Sequence, residues 1–208
     1  MTSETHEFSG AKGRFFAWFL TSPLRRVLEW KMGKPEARLL ELLRLEGGER
    51  VLDAGCGSGF HSLLIARSLP GGGVVAVDIS PEMLDRLGRN AAREGLSERI
   101  EVLLADGLRL PLPDRSVDRA ISAAVWHHLD DPEGACRELA RTLKPGGRVV
   151  VSDLLIRPSE KAVAGLEGHE RPFDADEMRR ILEGAGLVEV QVELLGRWVL
   201  GAGEKPAG

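Results

Sequence analysis

With 208 residues, the chain is most simply one domain. Its 43% hydrophobic and 29% charged residues are those of an ordinary globular protein, which excludes a disordered chain. Lys and Arg total 28 against 32 Asp and Glu, a net charge of −4, and this argues against a dedicated nucleic-acid binder.

Two cysteines, Cys56 and Cys136, build no disulfide framework and no CxxC pair, so no metal site is expected and a reducing cytoplasm fits. The opening MTSETHEFSG lacks the basic start and apolar run of a signal peptide. No run reaches the ~18 apolar residues of a membrane span. Tyrosine is absent, which removes the phenol from the catalytic candidates.

The chain to about Leu45 reads as helices. Ser22-Pro23 looks like a cap followed by a first-turn proline, and Pro35 opens a helix with a broad leucine face. Val51-Leu52-Asp53-Ala54 is a strand running into glycines, and a helix over 61–69 follows. Val74–Asp78 is a second strand, and Ser80-Pro81 caps a helix that runs to about Arg93. Ile100–Ala105 and Val117–Ser122 are further strands. Asp131-Pro132 opens a helix to Leu143, Lys144–Gly147 is a turn, and Arg148–Leu154 is a fifth strand. Asp174 and Glu177 form a capping box for a helix ending near Gly186. The last two apolar runs are separated only by Gly196, too short for a crossover helix, so they form an antiparallel hairpin. Strands alternating with helices predict an α/β fold with a mostly parallel sheet covered on both faces.

Ligands in such sheets bind beyond the carboxyl ends of the strands. Three strand ends here carry acids. The first is Asp53-Ala54-Gly55-Cys56-Gly57-Ser58-Gly59, where alternating glycines admit a ligand to the backbone and the next helix offers free N–H groups. The second is Asp78, suited to a pair of ribose hydroxyls. The third is Asp106, placed to accept from an exocyclic amine such as that of adenine. A nucleoside with a carboxylate-bearing tail satisfies all three. A dinucleotide competes, but Gly59 comes one residue early for GxGxxG and Asp106 has no role there.

The chain resembles class I S-adenosylmethionine-dependent methyltransferases, in the small-molecule branch with the ubiquinone and menaquinone methyltransferases. The resemblance rests on VLDAGCGSG (51–59), VVAVDISPEML (74–84), LLADGLRLPLPDRSVD (103–118), AVWHHLDDP (124–132) and LKPGGRVVVSD (143–153), in that order. It implies a Rossmann-like seven-stranded sheet ordered 3-2-1-4-5-7-6, strand 7 antiparallel, with an N-terminal helical cap over 1–46 and a cofactor-binding domain over 47–208. It also implies S-adenosylmethionine as cofactor and S-adenosylhomocysteine as product. Gly55, Cys56, Gly57 and Gly59 would line the methionine part, and Asp53 would hold the loop or the ammonium. Asp78 would bind the ribose, Ile79 and Met83 would pack near the adenine, and Asp106 with Gly107 would meet its amine. The backbone at Ser122 and Ala123 would meet the methionine ammonium.

Methyl transfer needs a base only where the nucleophile must lose a proton, and His127 is the candidate. His128 is read as ordering the loop. Cys56 is read as a small packed residue, and Cys136, Trp126 and Trp198 as core. The long connection over 156–173 is expected over the substrate pocket. Residues 1–34 interleave six basic and three acidic side chains with Phe8, Phe15, Phe16, Trp18, Phe19 and Trp30. They are read as a lid, and peripheral membrane contact is compatible with that role. The resemblance departs at the aromatic-Asp pair common in the cap of relatives, which has no equivalent here. A small-molecule or lipid-like acceptor is expected, with no nucleic acid. The sequence leaves the oligomeric state open, and two rival readings stand: a non-catalytic S-adenosylmethionine-binding module and a nicotinamide-dependent oxidoreductase.

Overall fold

Valine- and leucine-rich runs of five to twelve residues pair into one sheet because helices on both sides shield them from water. The computed structural model describes residues 35–155 and 174–208. Strands β1 (Arg50–Ala54), β2 (Gly73–Asp78), β3 (Ile100–Leu104), β4 (Val117–Ala123), β5 (Leu143–Leu154), β6 (Val188–Leu195) and β7 (Trp198–Glu204) form a seven-stranded sheet. Its order is β3-β2-β1-β4-β5-β7-β6. Strands β1 to β5 pair in parallel, whereas β7 runs antiparallel to β5 and β6. The expected fold class is the one observed.

Five α-helices are described: α1 (Glu36–Leu43), α2 (Phe60–Ser68), α3 (Pro81–Arg93), α4 (Pro132–Thr142) and α5 (Ala175–Gly184). Their starts follow local chemistry. Ser80 Oγ accepts from Met83 N–H, the Asp131 carboxylate from Gly134 N–H, and the Asp174 carboxylate from Glu177 N–H. One core face gathers Leu39 and Leu43 of α1, Ile65 of α2 and Leu87 of α3 against Ile121 and Val150. The other gathers Leu139 of α4 and Leu182 of α5 against Leu52, Val149 and Val151. Each such leucine contributes about 1.5–3 kcal/mol by leaving water. Trp126 and Cys136 are buried, as expected of core residues.

The predicted turn at 144–147 is instead an excursion inside β5. Val117 pairs with Leu143 and Arg119 with Arg148, so extra residues loop out on β5 alone. Gly146, with φ +73°, donates to the Lys205 carbonyl at 2.9 Å, and Lys205 N–H returns to the Gly147 carbonyl at 2.8 Å. The C-terminal strand therefore extends past the expected Gly201 to Glu204.

Helix α1 is tied to the sheet by two arginines. Arg148, 2% exposed, donates through Nε to the Leu42 carbonyl at 2.6 Å. Arg119 donates to the carbonyls of Leu43 (2.9 Å) and Arg44 (3.3 Å). These satisfy the C-terminal carbonyls that a helix leaves unpaired. At the other end Arg38 pairs with Glu193 at 2.6 Å. Glu193 lies opposite Leu200, Leu200 opposite Ser152, and Ser152 beside Ala123, the last residue of β4. Helix α1 thus descends from the carboxyl ends of the strands toward their amino ends. The start of α1 and the end of β5 both lie toward the face where ligands bind in such sheets. Residues 1–34 and 156–173 themselves, with the expected Ser22-Pro23 cap and the connection after β5, lie outside the described residues.

Candidate functional site

The glycine loop turns out of β1 between β2 and β4. Gly55 and Cys56 N–H both donate to the Val77 carbonyl, at 2.8 and 3.0 Å. Gly55, Gly57 and Gly59 all take left-handed φ, of +75°, +52° and +89°. Packing also demands two of them. A Cβ on Gly55 would lie 2.4 Å from Val125 Cγ2, and one on Gly59 would lie 2.6 Å from Leu87 Cγ. The loop is tied to α3 by Asn90 Nδ2, which donates to the Ser58 carbonyl at 3.1 Å.

Asp78 closes the loop from β2. Its Oδ2 accepts from Gly57 N–H at 2.8 Å and its Oδ1 from Ser80 N–H at 2.9 Å. Each oxygen keeps a second lone pair, so the carboxylate can still accept from two hydroxyls. Asp53, at 1% exposure, accepts from Ser62 Oγ at 2.5 Å. Burial pushes the Asp53 carboxyl up to about 7; the Ser62 hydroxyl pulls the other way, and nearby Asp78 pushes with burial. Burial raises Asp78 as well, partly offset by the N–H groups of Ser80 and Gly57. No cation among the described residues contributes to either carboxyl. Two acids crowded at adjacent strand ends suit a ligand that brings positive charge.

The other expected cofactor contacts surround this pair. Ala105 N–H donates to the Asp78 carbonyl at 3.0 Å, so the end of β3 meets the end of β2. Asp106, exposed, accepts from Leu108 N–H at 2.9 Å. A side chain at Gly107 would meet nothing within 4 Å. Ile79 is half-buried and Met83 buried. Cys56 is buried, with its Sγ 3.7 Å from the Gly57 carbonyl. Burial, then Asp53 and Asp78, push its thiol well up, so it is no thiolate nucleophile. Ala123 ends β4, and Ala124 follows at φ +57°, its N–H held by the Ser152 carbonyl at 2.8 Å. The left-handed turn throws Val125 over Gly55 and starts the short helix Trp126–His128.

His127 is 6% exposed, and its Nδ1 lies 2.6 Å from Asp153 Oδ1. The Asp153 carboxylate is fixed in turn by the N–H groups of Leu154 (2.6 Å) and His127 (3.1 Å). A neutral imidazole donating from Nδ1 to that carboxylate keeps Nε2 as the basic nitrogen. The His128 ring lies against it, tilted by 46°, with centroids 3.8 Å apart. Burial, then His127, lowers His128 to about 4, so it is neutral at physiological pH. The carboxylate bond thus falls to His127. Asp153 was missed by the sequence reading, although it ends β5 as Asp53 and Asp78 end β1 and β2.

A groove of about 370 Å³ lined by Gly48, Arg50, Gly72, Arg99 and Glu101 lies at the opposite, amino-terminal end of β1 and β2. It takes no part in this constellation. Among the described residues no helix is long and apolar enough to cross a membrane.

Residues 52–151 match the family described as methyltransferase domain. The chain is 35% identical over 153 residues to 27-O-demethylrifamycin SV methyltransferase of Amycolatopsis mediterranei, covering 74% of this chain and 52% of that protein. It is 38% identical over 129 residues to demethylmenaquinone methyltransferase of Thermus thermophilus, covering 62% of this chain and 57% of that one. The chain thus spans about half the length of the curated relatives it matches. Among solved structures, a SAM-dependent methyltransferase from Aquifex aeolicus superposes with a TM-score of 0.74 at 27% identity, covering 91% of this chain and 97% of that one.

Proposed function

We propose that the chain, whose residues 52–151 match a methyltransferase domain family, transfers a methyl group from S-adenosylmethionine to a small-molecule or lipid-like acceptor. The observation that carries this reading is the pair of carboxylates at the ends of β1 and β2, Asp53 buried and Asp78 half-buried, flanking a backbone turn and paired with no cation among the described residues. The residues present fit the cofactor. Asp78 offers lone pairs for the ribose hydroxyls, Asp106 an acceptor for the adenine amine, and Ile79 and Met83 apolar cover. Asp53 offers charge to the ammonium, and the turn Gly55–Gly59, with Cys56, offers backbone to the methionine part. Ala123 and the strand end at Ser122 border the same part. When bound, S-adenosylmethionine supplies an activated methyl carbon.

The protein's work is then positioning, exclusion of water and, where needed, removal of a proton. Asp153 holds His127 in one tautomer and one orientation, so His127 serves as base toward an acceptor hydroxyl. His128, kept neutral, adds no competing charge beside it. Residues 1–34, rich in basic and aromatic side chains, serve as the lid. Their basic and aromatic composition allows the same lid to rest on a membrane surface from the cytoplasmic side.

The test is turnover. Full-length protein with S-adenosylmethionine is offered pools of quinols, phenols, lipids and amines, and S-adenosylhomocysteine is followed with a methylated product by mass spectrometry. His127→Ala is expected to lower kcat about 10²- to 10⁴-fold on a hydroxyl acceptor, with the S-adenosylhomocysteine Kd unchanged. Cofactor binding without product in any pool would favour a binding module, and absence of cofactor binding would end the reading.

A further inference from the structure

Two buried side-chain atoms among the described residues, Ser152 Oγ and Trp198 Nε1, have no hydrogen-bond partner. A buried polar group without a partner is unfavourable, and native proteins hold few of them. These two are neighbours. Ser152 lies opposite Leu200 and Leu154 opposite Trp198 on the antiparallel β5–β7 pair. Side chains alternate along a strand, so Ser152 shares the face of Val150, and Trp198 that of Leu200, the face that carries α1. Diagonal residues of this kind stand about 7–8 Å apart, close enough for both to reach one small polar group.

Their place relative to the site is set by register. Ser152 pairs with Ala123 across β4–β5, one strand spacing of about 4.8 Å from the residue that borders the methionine part of the cofactor. On the other side the row continues through Leu200 to Glu193, whose charge is met by Arg38 at 2.6 Å. Ala123, Leu154 and Leu200 make the surround apolar. The indole N–H can only donate, and the serine hydroxyl can donate or accept. Neither carries charge, and Arg38 is already committed. Such a pair suits the lone pairs of a neutral oxygen, whereas a carboxylate or phosphate would meet no opposite charge in the pair itself.

We propose that Ser152 and Trp198 bind the methyl acceptor, and that the acceptor presents a neutral hydroxyl or carbonyl oxygen to them. The assignment rests on the methyl-transfer reading and narrows it to neutral oxygen compounds. It also moves Trp198 from core filler, as the sequence suggests, to the wall of the acceptor site.

The test is by nuclear magnetic resonance on the full chain, labelled at the tryptophan indole nitrogens and saturated with S-adenosylhomocysteine. Trp198→Phe assigns the signal. The probes are naphthol and naphthoquinone, which are neutral, and naphthoate and naphthyl phosphate, which are anionic. The neutral probes are expected to shift the Trp198 indole signal, and the anionic ones to bind at least about tenfold more weakly. Ser152→Ala is expected to weaken the neutral probes about tenfold, one hydrogen bond's worth. The same variant is expected to melt no lower than the parent, because it removes an unpaired hydroxyl. An unmoved Trp198 signal, equal binding of anions, or a lower melting temperature in Ser152→Ala would overturn the assignment. Calorimetry of S-adenosylhomocysteine on the same samples separates the two ideas: if it binds and the probes fail, only this assignment falls.

Discussion

An Asp53→Asn substitution keeps the shape of a buried side chain and removes its charge. Asp53 is 1% exposed, and its carboxyl is pushed from the ordinary 3.8 to about 7. Burial is the main cause, opposed by the Ser62 hydroxyl and reinforced by Asp78. In the unfolded chain this acid ionises near its ordinary value. Between about pH 4 and 7 the folded protein therefore holds a proton that the unfolded chain has released, and stability falls as pH rises through that window. The full displacement corresponds to about 4 kcal/mol, a sizeable share of the 5–15 kcal/mol that ordinarily holds a domain folded. Asparagine has no such titration. Its amide brings donors that cost about 1–2 kcal/mol if unpaired, so a net gain of about 2 kcal/mol is expected at pH 8 without cofactor. The same change should weaken S-adenosylhomocysteine by about 10- to 100-fold, since a charged partner for the ammonium is lost. Urea denaturation across pH and calorimetry of the cofactor product check both arms. A variant less stable than the parent at pH 8, with an unchanged pH dependence, would refute the reasoning.

Gly55→Ala places a Cβ 2.4 Å from Val125 Cγ2 at a left-handed φ of +75°, so a loss of about 2–4 kcal/mol is expected in chemical denaturation. Adding Val125→Ala should recover the part due to the clash and leave the part due to φ. Arg148→Met leaves the Leu42 carbonyl without its guanidinium and removes the 2.6 Å pair with Glu204. A loss of about 2–4 kcal/mol is expected. Hydrogen exchange should accelerate first over 36–43, where α1 loses its terminal anchor.

Much of the candidate site was legible because its signals are local. Asp53, Asp78 and Asp106 each follow an apolar run, and the glycines mark a tight turn into a helix. Helix starts at Ser80, Asp131 and Asp174 were legible for the same reason, since a cap is made within four residues. The excursion at 144–147 was misread as a simple turn because Lys-Pro-Gly-Gly carries turn chemistry. Its integration into β5 depends on Lys205, which lies far along the chain. His127 was visible as a candidate, but its partner was not. Asp153 reaches it only because β5 lies beside β4 and extends further, to Leu154.

By itself the sequence determined the fold class, the strand-end acids and the hairpin, since periodicity, capping and a single linking glycine act over a few residues. Only the tertiary structure decided which residues share an environment. Parallel pairing set Asp53 near Asp78, which raises the cost of charging Asp53. The long β5 brought Asp153 under His127, and the antiparallel β7 placed Trp198 diagonally across from Ser152. Each of these depends on register between segments distant in the chain, and register is set by burial of whole faces rather than by any short motif.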